Sequence, residues 1–381
     1  MTEDVIVVGA GPAGAAASIE LARSGASVLL LEANSFPRDK TCGSGLSPNA
    51  IALADRFGIG EDLRRLAYPI EQVKIVTPAG RSMVLASKAA AVVLLRRDFD
   101  ELLVRRAQAL GANFRDNVRV VALVREGDRV VGVRTREHEE IRARYVVCAD
   151  GSHSIFSTDH RPKRSISTLM GWWEDAEFTP GQLEMVFDRE LMPLYGWLFP
   201  ETERRVNIGI CMEGQGPDGR KTPLNVRHVF DRFVATHYES RLRGARSVGR
   251  LKGHPIVYTR WVDRCTTPGA LYIGEAARLT NYATGEGISQ AMQSGVYAAE
   301  AVSQALGAER DEPRAMRVYV RRLRTRFAVE HAIAASVRAA VSSRLIDGVA
   351  ALYGHPTVRR AVVQVLGSAL AGSSVRASND G

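Results

Sequence analysis

The sequence has few of the residues that form disulfide bonds in small secreted domains or bind metal ions. Its four cysteines are Cys42, Cys148, Cys211 and Cys265, which lie far apart and form no C-x-x-C pair. The eight histidines show no H-E-x-x-H or similar ligand spacing. These absences argue against a disulfide framework and against a zinc site, so we expect no metal.

Long apolar runs are also absent. No stretch approaches the roughly 18 apolar residues that a membrane-spanning helix requires. The N-terminus leads directly into a short apolar segment, without the charged region and cleavage site of a signal peptide. We therefore expect a cytoplasmic protein.

The net charge is positive but does not follow the pattern of a nucleic-acid surface. The excess of +9 is dispersed, arginine-rich and not interleaved with aromatic residues, so we expect no nucleic-acid partner. One cluster recurs at helical spacing and comprises Arg310, Arg314, Arg317, Arg321, Arg322, Arg324 and Arg326. The simplest interpretation is a solvated helix face. The alternatives are peripheral contact with an anionic membrane surface and binding of an anionic substrate such as a diphosphate.

The first 32 residues contain a dinucleotide-binding βαβ pattern. The apolar run 5–8 leads into Gly9-x-Gly11-x-x-Gly14, an Ala-rich helix follows, and a second apolar run ends at Glu32. Gly9 permits the strand-to-helix turn, Gly11 lets a diphosphate approach the backbone, and Gly14 lets the helix pack against the strand. The phosphates would then lie at a helix N-terminus, where free N–H groups bind anions. Glu32 would bind the adenosine ribose hydroxyls and repel a 2′-phosphate, which favours FAD or NAD over NADP.

A loop rich in small residues follows. Residues 40–48 read Lys-Thr-Cys-Gly-Ser-Gly-Leu-Ser-Pro. This stretch resembles the Lys-x-Cys-Gly-x-Gly-Leu-Ser-Pro segment of the geranylgeranyl reductase family of FAD-dependent oxidoreductases. The resemblance implies that the loop runs beside the flavin ring and that Cys42 acts near the site of reduction. By residue type alone, Cys42 is also compatible with a small buried apolar side chain.

Two further segments resemble this family and flavoproteins of the aromatic-hydroxylase type. Arg96-x-x-Phe-Asp-x-x-Leu opens a predicted helix, and the resemblance implies that Arg96 bonds the FAD phosphate or ribityl region. The simpler interpretation is an exposed arginine at a helix start. Asp150 and Gly151 follow a predicted buried strand, where the resemblance places the acid near the FAD diphosphate.

An aromatic segment lies in the second half of the chain. Tyr195, Trp197 and Phe199 alternate along a predicted strand, so their side chains would share one face. The segment resembles the Tyr-x-Trp-x-Phe-Pro motif of the geranylgeranyl reductase family and differs at two positions from the Trp-x-Trp-x-Ile-Pro of flavin halogenases. The resemblance implies an apolar substrate pocket beside the flavin. The alternative is an aromatic core strand.

Residues 274–288 resemble the last nucleotide-binding segment of the same family. A helix is predicted to begin near Gly285 and to direct its N-terminus at the flavin, where its dipole would stabilise negative charge on the reduced ring. Three residues depart from the family pattern: Glu275 replaces an Asp, Arg278 replaces a Gly, and Tyr282 replaces a Pro that faces the flavin. These departures imply a reshaped pocket in which Arg278 offers a site for a substrate carboxylate or phosphate.

The site residues expected from the sequence and the resemblance form two groups. The catalytic group comprises Cys42, Tyr195, Trp197, Phe199 and Tyr282. The cofactor group comprises Gly9, Gly11, Pro12, Ala13, Gly14, Glu32, Ala33, Arg38, Cys42, Gly43, Gly45, Arg96, Val120, Asp150, Gly151, Gly274, Glu275, Gly285, Gly287 and Ile288.

The predicted fold is α/β (α+β). A Rossmann-type FAD-binding domain would comprise residues 1–70, 96–164 and 265–310, and an antiparallel-sheet substrate domain would comprise residues 71–95 and 165–264. A helical C-terminal region, 311–381, would contain helices over 314–345 and 356–370 and end in a frayed tail from residue 371.

The favoured function is an FAD-dependent reductase that transfers a hydride from reduced flavin to a carbon–carbon double bond of an apolar, isoprenoid or polyene-like small molecule. A flavin monooxygenase or a dehydrogenase acting on a small natural product is the second hypothesis, and an electron-transfer flavoprotein subunit is the third. No second Gly-x-Gly-x-x-Gly follows the first. Electrons would therefore come from NAD(P)H that docks transiently or from a reduced partner protein.

Overall fold

Strands and helices alternate early in the chain, and the last elements are all helices. The structure, a computed structural model, describes residues 3–157, 164–215, 225–259, 262, 264–307, 311–343 and 345–362. The strands are β1 (Glu3–Val8), β2 (Val28–Leu31), β3 (Gly45–Leu46), β4 (Tyr68–Val76), β5 (Ser82–Val93), β6 (Asn113–Arg115), β7 (Val120–Glu126), β8 (Arg129–Thr135), β9 (Glu140–Cys148), β10 (Arg164–Glu174), β11 (Gln182–Val186), β12 (Gly196–Pro200), β13 (Arg205–Gln215), β14 (Arg246–Ser247), β15 (Lys252–Gly253), β16 (Ile256–Tyr258), β17 (Thr266–Thr267) and β18 (Ala270–Tyr272). The α-helices are α1 (Pro12–Arg23), α2 (Pro48–Phe57), α3 (Gly60–Leu66), α4 (Arg96–Ala109), α5 (Val226–Tyr238), α6 (Ile288–Leu306), α7 (Glu312–Ser342) and α8 (Leu345–Ala351).

The first sheet is the predicted Rossmann-type sheet. Its strand order is β17-β18-β9-β1-β2-β6, and β1 is parallel to both β2 and β9. Every residue of β2 is buried, as expected of a parallel strand whose two faces are both covered. Because the carboxyl ends of parallel strands meet at the same edge, the loops after β1, β2 and β9 lie together, and they carry Gly9, Glu32 and Asp150.

The second sheet is built from the strands predicted for the substrate domain. Its order is β14-β10-β13-β12-β11-β4-β5-β3, and its pairs are antiparallel except for β4 with β11, which are parallel. Gly45 of β3 pairs with Val93 of β5, and Leu46 pairs with Val92. The predicted domain boundaries stay predictions, but these two loop residues, assigned to the FAD-binding part, hydrogen-bond into the second sheet. The loop that carries Cys42 therefore joins the two sheets.

The C-terminal helices lie against both sheets. Helix α7 buries Ala315, Tyr319, Leu323 and Phe327 at four-residue spacing, which places them along one helix face. The Tyr319 hydroxyl donates a hydrogen bond of 2.7 Å to the carbonyl of Tyr272 in the first sheet. Helix α7 ends at residue 342, α8 is separate, and residues 356–362 form a further helical segment. Residues 363–381, which include the end of the last predicted helix and the predicted frayed tail, lie outside the described residues.

The arginine cluster lies on α7, as its spacing predicted, except that Arg310 lies outside the described residues. Arg322 pairs with a glutamate of α6, Arg324 donates to the carbonyl of Val262 at 3.0 Å, and Arg326 pairs with Glu330 at 2.8 Å. Three of the described arginines therefore bond within the protein. In the part of the chain that the structure describes, no helix is both long and apolar enough to cross a membrane.

Candidate active site

A cavity of about 570 Å³ opens between the two sheets. It is lined by all but three of the expected site residues. The lining members are Gly9, Gly11, Pro12, Ala13, Glu32, Ala33, Arg38, Cys42, Gly43, Gly45, Arg96, Val120, Asp150, Gly151, Tyr195, Trp197, Phe199, Glu275, Gly285, Gly287 and Ile288. Gly14, Gly274 and Tyr282 do not line it.

The βαβ turn forms one end of the cavity. Gly9 has φ +103°, a left-handed conformation that favours glycine. A Cβ atom on Gly14 would lie 1.9 Å from the carbonyl oxygen of Gly9, so Gly14 shapes the turn from behind. Helix α1 begins after Gly11 and no side chain caps it, which leaves its first N–H groups available to an anion.

Two arginines flank this helix start. A Cβ atom on Gly11 would lie 3.8 Å from Nη2 of Arg38 and 3.9 Å from Nη2 of Arg96. Both guanidinium groups are held by Asp100, whose side chain is 0% exposed, at 2.9 Å from Arg38 and 2.8 Å from Arg96. Burial alone would lower the pKa of Arg96, but the charge and hydrogen bonds of Asp100, with a smaller contribution from Cys42, raise it. The result is a rigid pair of cations beside a helix N-terminus, which is an arrangement suited to a diphosphate.

Glu32 lies where the second strand of the βαβ unit ends. It is buried, and its carboxylate accepts hydrogen bonds from the backbone N–H of Ala10 at 3.1 Å and from the side chain of Asn34 at 3.0 Å. Arg38 approaches the same carboxylate at 3.2 Å. The acid is therefore fixed at the cavity edge, in the position from which it would meet a ribose.

Asp150 supplies the test of whether a polar cofactor fits. Its Oδ1 atom is buried and has no hydrogen-bond partner among the described residues, while Oδ2 accepts from the N–H of Ile155 at 3.2 Å. Burial raises the pKa of Asp150, against hydrogen bonds from Ser154 and the backbone. A buried carboxylate oxygen without a donor is costly, and a cofactor hydroxyl in the cavity would satisfy it.

A second polar cluster lies between the two sheets. The Lys40 ammonium donates to Nε2 of His254 at 2.8 Å, and the Ser152 hydroxyl lies 2.7 Å from the same nitrogen. Burial, and then the charge of Lys40, lower the pKa of His254 to about 4. Burial also raises the pKa of Glu275, although the nearby charge of Lys40 opposes that shift. The cluster places one ammonium and one carboxyl on the same cavity wall.

The Cys42 loop meets the aromatic strand directly. A Cβ atom on Gly43 would lie 3.2 Å from the Phe199 ring and 3.3 Å from the Trp197 indole nitrogen, and one on Gly45 would lie 3.2 Å from Phe199. Any larger side chain in the loop would push these rings away. The Cys42 thiol accepts a hydrogen bond from the N–H of Ser44 at 3.3 Å.

The three aromatic residues form one continuous wall. The rings of Tyr195 and Trp197 lie 6.4 Å apart, and those of Trp197 and Phe199 lie 6.0 Å apart. The Tyr195 hydroxyl donates to the carbonyl of Thr284, and the Trp197 indole N–H donates to the side chain of Asn207 at 2.7 Å. Burial raises the pKa of Tyr195 well above its usual value. With their polar atoms bonded to the protein, the rings present apolar surface to the cavity.

The final glycine-rich segment lies opposite this wall. Helix α6 begins at Ile288, three residues later than predicted, because Gly285 has φ +69° and its N–H closes a turn on Asn281 at 2.9 Å. The segment Gly285–Ile288 nevertheless lines the cavity. Gly274 lies behind it, where a Cβ atom would meet Ala13 at 3.0 Å.

The expectation for Tyr282 requires correction. Its ring is buried and packs against Tyr258 at 5.5 Å and His331 at 5.5 Å, and its hydroxyl donates to the His331 carbonyl at 3.1 Å. Helix α7, which sequence reasoning did not place here, covers the ring. Arg278 is also buried outside the cavity, so the arrangement does not support its use as a substrate anion site.

Several cavity residues were not among the site residues predicted from the sequence. They are Lys40, Ser47, His254 and Glu286, together with Asp100 behind the arginine pair. Asp100 could have been found from its position four residues after Arg96, since residues at this spacing share a helix face. His254 carries no such local signal.

The fold and the site fit an FAD-binding oxidoreductase: an uncapped helix start with two arginines, a buried acid at the end of β2, an unsatisfied Asp150 oxygen and an aromatic wall share one cavity. The chain matches the FAD binding domain family over residues 2–328.

Comparison with known proteins narrows this class. The chain is 31% identical to a digeranylgeranylglycerophospholipid reductase of Methanopyrus kandleri over 80% of its own length and 82% of that protein. The structure resembles a geranylgeranyl bacteriochlorophyll reductase-like protein of Thermoplasma acidophilum, with a TM-score of 0.81, 24% identity and coverage of 96% of this chain and 99% of that one. It also resembles a flavin-dependent brominase, with a TM-score of 0.79, 21% identity and coverage of 97% and 94%. The protein belongs to the geranylgeranyl reductase family of FAD-dependent oxidoreductases.

Proposed function

We propose that the protein reduces a carbon–carbon double bond in an apolar, isoprenoid-like chain. The observation that carries the proposal is the aromatic wall packed directly on the Cys42 loop, where a Cβ atom on Gly43 would lie 3.2 Å from the Phe199 ring and 3.3 Å from the Trp197 indole nitrogen. A substrate lying on that wall would be held next to the loop that in this family runs beside the flavin ring. The naming of similar proteins as reductases of digeranylgeranyl lipids supports the same class of substrate.

We assign three parts of FAD to residues of the cavity. Arg38, Arg96 and the start of α1 would hold the diphosphate, Glu32 would hold the adenosine ribose, and Asp150 would accept a hydroxyl hydrogen bond. When bound, FAD supplies the two-electron hydride chemistry.

The far end of the cavity suits an unbranched or methyl-branched hydrocarbon chain. Its lining there is apolar and comes from the second sheet: Val73, Ala91, Met170, Leu183, Met185 and Ile256. Such a lining binds by apolar burial, worth about 25 cal/mol per Å². It also keeps water away from the reacting carbons.

One anaerobic experiment tests the proposal. The FAD-loaded protein is reduced with dithionite and mixed with geranylgeranyl lipids or shorter prenyl alcohols, while flavin absorbance is followed. We expect flavin reoxidation together with a product that carries two additional hydrogen atoms. A substitution that fills the apolar end, Leu183→Trp, should slow reoxidation, whereas Trp173→Phe, on a ring packed against Phe230 outside the cavity, should not.

A different product would contradict the proposal. If the product gains an oxygen atom and forms only in air, the protein is a monooxygenase of the same fold. If no organic substrate reoxidises the flavin and only a redox protein does, the electron-transfer alternative holds instead.

A further inference from the structure

A buried carboxyl group faces the cavity at the start of α6. Glu286 directly follows Gly285 and lines the cavity. Its Oε1 atom accepts two hydroxyl hydrogen bonds, one from Ser47 and one from Ser289 at 2.6 Å. Ser47 closes the Cys42 loop and caps α2, so this contact ties Glu286 to that loop.

A second acid, Glu330, lies near Glu286. In the described part of the chain, Glu330 forms an ion pair and Glu286 does not. Gln290 donates to Glu330 of α7 at 3.4 Å, and Glu330 pairs with Arg326 at 2.8 Å. No lysine or arginine in the described part of the chain forms an ion pair with Glu286. A nearby negative charge and burial both disfavour the charged form of a carboxyl group, so this arrangement favours the neutral form of Glu286.

The other polar groups near the aromatic wall are held by hydrogen bonds or contacts within the protein. The Tyr195 hydroxyl is bonded to the Thr284 carbonyl and the Trp197 N–H to Asn207. The Cys42 sulfur accepts from Ser44 and contacts Arg96. Two glutamates that line the cavity have a raised pKa, and the charge of Lys40 opposes the shift at Glu275, whereas Glu286 has no such cation beside it in the described part of the chain. Glu286 is therefore the better candidate for a neutral acid.

We propose that Glu286 is the general acid of the reduction, a role that rests on the proposed function above. Glu286 would donate its carboxyl proton to one carbon of the double bond, while bound, reduced FAD would supply a hydride to the other. The electron pair of the hydride would form the first C–H bond, and the π pair would form the second with the proton. The two electrons would come from FAD, and an external two-electron reductant, which is dithionite in the assay, would replace them. Glu286 is left as a carboxylate and regains its proton from water.

The electrostatics of the site fit this role at both stages. Burial raises the pKa of Glu286, and the charge of Glu330 adds to the shift, against the hydrogen bonds of Ser289 and Ser47. After proton transfer, the nearby start of α6 favours the carboxylate. The charged or titratable groups near Glu286 are Glu330 with its partner Arg326 on α7, and Tyr195, which directly precedes β12. The reduction rate should therefore fall as pH rises through the raised pKa of Glu286.

The variant that tests the proposal is Glu286→Gln. Glu201→Gln is its matched control, because Glu201 is also a buried carboxyl with a raised pKa but does not line the cavity. Both variants should bind FAD with an unchanged visible spectrum. We expect E286Q to slow anaerobic flavin reoxidation by prenyl substrate about 100-fold or more and to lose the pH dependence, while E201Q keeps both within a few-fold.

An activity-independent measurement accompanies these rates. Infrared spectra of the FAD-loaded, oxidised protein near neutral pH should show a protonated carboxyl band that disappears in E286Q. If wild type lacks this band, or if E286Q reduces substrate at the wild-type rate while Cys42→Ala does not, the proposal is overturned. A wild-type protein that reduces no prenyl substrate overturns the proposed function instead, and the infrared band still decides whether Glu286 holds a proton.

Discussion

Replacement of Asp100 should destabilise the FAD-free protein, because Asp100 holds two buried arginines. Its carboxylate is 0% exposed and bonds two guanidinium groups that are only 13% and 10% exposed. Replacing it with asparagine leaves two buried cations with one negative partner fewer. Removal of one partner from a buried ion pair costs about 3–5 kcal/mol, and little of this is screened because water barely reaches the group. We expect Asp100→Asn to lower the free energy of unfolding of the FAD-free protein by that amount.

The assay is urea unfolding of the FAD-free protein, followed by circular dichroism. Asp98→Asn is the matched control, since Asp98 is a carboxylate in the first turn of the same helix and should contribute only about 0.3–1 kcal/mol. Equal losses in D100N and D98N would refute the reasoning.

A triple variant sharpens the test. Replacing Arg38 and Arg96 by methionine and Asp100 by leucine removes the entire buried ionic group and should recover most of the stability that D100N loses. It should nevertheless weaken FAD binding, because two charge-assisted contacts of about 1.5–3 kcal/mol each are lost. A triple variant that binds FAD like the wild type would show that the arginines do not hold the diphosphate.

Three further predictions follow from the site. Gly14→Ala should lower stability by about 1–3 kcal/mol or more and abolish FAD retention, since its Cβ would lie 1.9 Å from the Gly9 carbonyl, whereas Gly348→Ala, with no atom within 4 Å, should be tolerated in both assays. Cys42→Ala should leave the flavin spectrum intact and lower turnover; unchanged turnover would make the thiol a packing residue. The pKa of His254 is lowered from 6.5 to about 4. Between these pH values the unfolded chain binds a proton at His254 that the folded protein does not bind. The free energy of unfolding should therefore fall as pH is lowered from 6.5 to 4. His254→Gln should flatten that part of a stability–pH curve, and an unchanged curve would contradict the assignment.

Local patterns predicted the parts of the site that depend on short stretches of chain. The βαβ unit, the position of Asp150 at a strand end and the shared face of Tyr195, Trp197 and Phe199 follow from periodicity and turn chemistry, whereas the site roles of Asp150 and of the aromatic residues are what the family resemblance implies. Each of these residues lines the cavity. The period of a strand or helix fixes side-chain direction within one element, so such features can be read without knowledge of the tertiary fold.

Features that depend on packing between distant segments were not predictable in this way. Tyr282 is turned out of the cavity because α7 covers it, although α7 lies about thirty residues later in the chain. His254 and Lys40 are more than two hundred residues apart and meet only because the two sheets face each other. In each case a residue far along the chain, and not the local sequence, determines where the side chain lies.

The pairing of Gly45 and Leu46 with β5 has a consequence for engineering and for divergence within the family. These two residues line the cavity and form an edge strand of the sheet that supplies its apolar lining, so a change in the curvature of β5 moves both parts of the cavity wall. Substitutions that alter substrate preference among related proteins should therefore also alter the environment of the flavin. A chimera that exchanges the second sheet between two such proteins would need to carry residues 43–46 with it.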